Sequence, residues 1–129
     1  MTAYAAYQEA EILSSTPEQL VLLLYRRLLG HLRQGADCLD ESDIAGKGEH
    51  FQKASAILYE LAASLDHEVG GDLAGQLSAL YAFFIREIAA ASMAKSRSRI
   101  ERVIVMVEQL NQSWISAARE IGEAAATGG

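Results

Sequence analysis

Apolar side chains recur at offsets of three, four and seven through most of this chain, the spacing that keeps one side of an α-helix apolar. Four such stripes are separated by short polar segments. The first begins at Thr16-Pro17-Glu18-Gln19, which combines a Thr cap, a Pro at the first helical position and a Gln that closes a capping box. It continues through Val21, Leu24, Leu28, Leu32 and Leu39 to the polar turn Asp40-Glu41-Ser42-Asp43. Asp43 is placed to cap a second helix with Phe51, Ala54, Leu58, Leu61 and Leu65 on one face. After His67-Glu68-Val69-Gly70-Gly71, read as a flexible connection, Asp72 is placed to cap a third helix, whose stripe is Leu73, Leu77, Leu80, Phe84 and Ile88. Ser96 starts a fourth, with a seam from Ile100 through Val107 and Trp114 to Ile121.

The spacing therefore predicts helices over about 17–39, 44–66, 73–94 and 97–122, within a bundle of residues 16–126. Residues 1–15 form a short N-terminal arm and 127–129 a frayed tail. Four helices of similar length joined by short turns fold most simply as an antiparallel up-down-up-down bundle. The predicted fold class is all-α.

The stripes carry more apolar surface than the bundle requires. A bundle helix needs about three apolar positions in seven, yet Leu20-Val21-Leu22-Leu23-Leu24-Tyr25 runs without interruption. At 100° per residue, Leu20 and Leu23 point away from the main stripe, while Leu22 and Leu29 lie on a third side. Tyr81, Phe83 and Ile85 flank the third stripe, and Val105 and Met106 lie outside the fourth. Two readings stay open: a surface that captures a helical partner, or extra packing, including cover by the arm with its Tyr4, Tyr7, Ile12 and Leu13. Self-association through the same surface is a third outcome.

Charge and composition remove several classes. A length of 129 residues fits one domain, and a formal net charge of -6 repels phosphate backbones and anionic lipid, so neither nucleic acid nor membrane is an expected partner. Residues 1–10 lack a basic region followed by an apolar core, which predicts a cytosolic chain, and the uncharged run 73–85 is too short to span a bilayer. Cys38 stands alone, so no internal disulfide is possible.

Chemistry finds little footing. His31, His50 and His67 show no helical i, i+3 or i+4 pairing, Gly70-Gly71 lacks the Lys and further glycines of a phosphate loop, and no Ser or Cys sits in a nucleophile elbow. No catalytic residue, metal or cofactor is expected, and the chain is read as a non-enzyme. The chemical alternative is a histidine phosphotransfer domain using His31, because His31-Leu32-Arg33-Gln34-Gly35 places a basic residue and a Gly after a His. In that family the two are adjacent, whereas here Gln34 separates them.

Six pieces follow one another in order: Ala6-Tyr7, Thr16-Pro17-Glu18-Gln19-Leu20-Val21 leading to Leu24-Tyr25, Lys53-Ala54-Ser55-Ala56-Ile57-Leu58, Leu65-Asp66-His67-Glu68-Val69-Gly70-Gly71-Asp72-Leu73-Ala74, Leu77-Ser78-Ala79-Leu80-Tyr81 and Trp114. In this order they resemble the FliS family of flagellar secretion chaperones. The resemblance implies a four-helix bundle that binds the disordered C-terminal segment of flagellin, prevents its premature polymerisation and brings it to the flagellar type III export apparatus, with other flagellar regulators as further partners. It also implies client contacts at Tyr7, Tyr25, Leu80 and Tyr81. With Tyr4 from the arm and Leu22 and Leu29 from the surplus, these form the candidate client-binding set. The chain departs from the family pattern at Ala82-Phe83 and Ala91-Ser92.

Overall fold

The computed structural model describes residues 17–127, with side chains described over 17–120. The arm, including Tyr4 and Tyr7, and the Thr16 cap lie outside the described residues. Four helices follow in order: α1 (Pro17–Asp40), α2 (Ile44–Ala63), α3 (His67–Ala94) and α4 (Arg97–Thr127). α1 packs on α2 and α4, and α3 packs on the same two from the far side, which is the closed square of an antiparallel bundle.

Local chemistry sets the corners. The Asp43 carboxylate accepts the Gly46 N–H at 3.0 Å, so one of the orphan donors at the start of α2 is satisfied despite its two early glycines. At the end of α2 the Ser64 hydroxyl donates to the Leu61 carbonyl at 2.8 Å. The Ser96 hydroxyl accepts from the Arg99 N–H at 3.3 Å and opens α4. Residues 67–71, read from sequence as a flexible connection, are helical: Asp66 accepts from the N–H groups of Glu68 and Val69 at 3.1 Å each and caps a turn of its own. Gly71 then breaks the helix at φ 52 and ψ -126, a conformation open to glycine and strained for other residues, before the main length of α3 runs on from Asp72.

The inward stripes meet in an apolar core. Leu28 and Leu32 of α1, Leu58 of α2, Phe84 of α3, and Ile100 and Val107 of α4 are fully enclosed. Part of the surplus apolar surface goes here as well, since Leu23 is buried and Ile85 and Met106 are half-buried. α3 is long and apolar enough in composition to cross a membrane, more than the uncharged run 73–85 alone indicates. Its stripe from Ala74 to Ala91 is turned inward against the other helices, which accounts for part of that apolarity, with 28% of the apolar window buried.

Two contacts fix how the helices sit. Tyr25 of α1 and Tyr81 of α3 are 0% and 2% exposed and share a 2.6 Å hydrogen bond between their hydroxyls across the core. Burial pushes both phenols above their ordinary range, so they act as neutral hydrogen-bonding groups at any physiological pH. Between α1 and α2, Gly35 lets the backbone approach the Phe51 ring: a Cβ at this position would stand 2.2 Å from Phe51 Cε1.

Because each buried hydroxyl depends on the other, Tyr25→Phe or Tyr81→Phe alone is expected to lower unfolding free energy by about 1–3 kcal/mol, and the double variant by less than the sum. Urea denaturation of the four proteins checks this; strictly additive losses would show that the bond contributes nothing. Gly35→Ala is expected to cost about 1–3 kcal/mol through overpacking, with a smaller cost of the same change in a Phe51→Leu background.

Candidate functional site

A groove of about 720 Å³ runs between α1 and α4. Its walls are helical stripes. Leu22, Arg26, Leu29 and Arg33 line α1 at offsets of four, seven and eleven, while Val105, Glu108, Gln112 and Ile115 line α4 at offsets of three, seven and ten. Relative to Tyr25, which faces the core, these four α1 positions all rotate to one side by about 40–100°. The tyrosine pair thus aims them at α4.

The groove has an apolar floor and a polar rim. Leu29 is buried at its base, Leu22 is half-buried and Val105 is 51% exposed. Gln109, Asn111 and Gln112 supply amides on the α4 side. The Arg33 guanidinium donates to the Glu108 carboxylate across the gap and ties one end. Towards the start of α1, Leu22 also borders a second hollow of about 260 Å³ with Pro17, Val21, Trp114 and Ala118, so the two form a continuous apolar track. The Trp114 ring leans on Tyr25 at 6.4 Å between centroids and supports that end.

Of the candidate client-binding residues within the described region, the structure brings Leu22 and Leu29 together in this groove. Tyr25 and Tyr81 meet each other instead, beneath the surface. Leu80 is half-buried at the edge of the core on α3, away from the groove. Arg26, Arg33, Val105 and Ile115 complete the walls. The sequence signal for them was the seven-residue repeat of Leu22 with Leu29, Arg26 with Arg33 and Glu108 with Ile115. Further apolar side chains stand out at the two ends of the bundle: Tyr59, Val69 and Leu73 near the α2–α3 corner, and Ile44 and Met93 at the opposite end.

Among the described residues, the titratable groups outside the groove pair off or stand apart. Among the described residues no three His, Cys, Asp or Glu side chains converge as metal ligands. Cys38 is buried, and its Sγ–H donates to the Asp43 carboxylate at 3.7 Å. His31, which helical spacing left isolated, pairs across the α1–α2 seam: its Nδ1 lies 3.1 Å from Nδ1 of His50. Burial, followed by the charge of His50, holds the His31 imidazole below its ordinary range. An imidazole engaged in this way is a poor match for a free phosphoacceptor, and phosphotransfer is not favoured.

Comparison with known proteins is consistent throughout. The family described as flagellar protein FliS matches residues 1–121. The flagellar secretion chaperone FliS of Salmonella typhimurium strain LT2 is 32% identical over 114 residues, covering 87% of this chain and 84% of the relative. FliSB of Pseudomonas aeruginosa, also a flagellar secretion chaperone, is 30% identical over 118 residues, covering 88% and 94%. A crystal structure of a flagellar chaperone from bacteria superposes with a TM-score of 0.76 at 20% identity, covering 92% of this chain and 96% of the other, and so shares the fold. With the family match running over nearly its whole length, this chain belongs to the FliS family of flagellar secretion chaperones.

Proposed function

We propose that this protein is a cytosolic chaperone that captures the disordered C-terminal segment of flagellin, keeps it from polymerising early and presents it to the flagellar type III export apparatus. The observation that carries the reading is the open α1–α4 groove, an apolar track with a polar rim on a bundle whose own core is already closed. A helix laid along that track would bury its apolar face against Leu22, Leu29, Val105 and Ile115 while its flanks meet Arg26 and the α4 amides. Each apolar side chain so covered contributes about 1.5–3 kcal/mol before the cost of ordering the guest. No bond is made or broken in this work, in keeping with a non-enzymatic family.

Within this reading the candidate residues divide their labour. Leu22 and Leu29 touch the client, and Tyr4 and Tyr7 act from the arm. Tyr25 and Tyr81 hold the walls from beneath, and Leu80 belongs to a second contact along α3. Other flagellar regulators are further partners for the exposed side chains at the bundle ends. Histidine phosphotransfer has no comparable observation behind it.

Mixing the chain with the C-terminal segment of flagellin is expected to give more helix by circular dichroism than the sum of the two alone, and binding heat with a negative heat-capacity change. A spectrum equal to the sum, with no heat across several temperatures, would sink the reading. Val105→Glu puts a charge on the groove wall at a half-exposed position. It is expected to weaken binding at least about tenfold with stability within about 0.5 kcal/mol of the parent; unchanged affinity would move the client site away from this groove.

A further inference from the structure

The α1–α2 seam contains a pair of groups that the chaperone role leaves unused. His31 sits one helical turn before Gly35 on α1, and His50 precedes Phe51 on α2, so the pair flanks the point where Gly35 admits the Phe51 ring. Their Nδ1 atoms are 3.1 Å apart, their ring centroids 5.4 Å apart, and the planes are tilted by 34°. Both residues are half-buried. An Nδ1-to-Nδ1 hydrogen bond requires that one nitrogen carry a proton and the other offer a lone pair. A neutral imidazole can do either, but an imidazolium can only donate. When both rings are charged, two N–H groups confront each other and two like charges stand in contact.

We propose that His31 and His50 form an acid-sensitive latch on the α1–α2 seam, closed while at most one of the rings is charged and forced open when both are. The surroundings sharpen the response. From α1, Arg27 adds positive charge near His31; from α2, Lys53 adds more, and Glu49, the acidic neighbour, is already held by Lys53 at 2.9 Å. Glu108 of α4 offers no relief, since it is engaged by Arg33 on the opposite flank of α1. Two imidazoliums at the seam would therefore stand in a field of their own sign.

The sign of the pH dependence follows from the same geometry. The His31 imidazole is held below its ordinary value of 6.5 in the folded chain, so the folded state resists a proton that the unfolded state accepts. The stability it contributes is fully present above pH 6.5 and is lost as pH falls through the depressed folded value. The third histidine, His67, is exposed at the start of α3 and serves as a control.

Urea denaturation of the full chain at about pH 7.5 and about pH 5.5 tests the latch. The folding constant of the parent and of His67→Gln is expected to fall at least about threefold more between the two conditions than that of the His31→Gln/His50→Gln double variant. An equal fall in all three would overturn the proposal. Should the double variant fail to fold, proton resonances of the rings decide: His31 of the parent titrates below 6.5, and His50→Gln moves it upward. A His31 titration unmoved by His50→Gln overturns the latch just as directly. Neither readout involves flagellin, so failure here leaves the chaperone reading standing.

Discussion

Two phenol hydroxyls sit in a core built mainly from hydrocarbon and hydrogen-bond to one another, with the Trp114 indole also against Tyr25, so the pair ties α1 to α3. The placing of the candidate groove is consistent with that bond. With Tyr25 inward, the geometry of the α-helix sends Leu22, Arg26, Leu29 and Arg33 to one side, against α4, and sends His31 and Gly35 to the other, against α2. α1 therefore works as a shared wall. One of its flanks is closed by tight packing on α2, and the other is left open as a groove.

Much of the fold was legible along the chain because helical periodicity is local. The four stripes, the Asp43 cap and the Ser96 cap depend on residues within a turn or two of each other. Residues 67–71 were harder to read, since glycines that signal a loose connection also permit a short capped turn followed by a sharp break at Gly71. The surplus of apolar residues was equally visible, but its destination was not. Leu23 disappears into the core and Val105 stays half-exposed, and the difference rests on the rotation of each helix about its axis, which composition does not reveal.

The candidate site shows the same division. Leu22 and Leu29 share a flank at two-turn spacing, and the structure keeps them together. The family resemblance implies client contacts at Tyr25 and Tyr81, and tyrosine suits a wet apolar surface. Their hydroxyls instead satisfy one another across 56 residues of sequence, a pairing that no helical offset announces. The histidine pair is of the same kind, its partners 19 positions apart and treated as strangers by a local reading.

The bridge from Arg33 to Glu108 closes one end of the groove, while Leu22 marks the opening towards Trp114. The axial run between Leu22 and Arg33 is about 17 Å. A helix seated along that stretch would span roughly three turns, and past Leu22 the track runs on towards Trp114 rather than stopping. On the proposed function, the clasp would fix where a guest begins and leave its far end unconstrained.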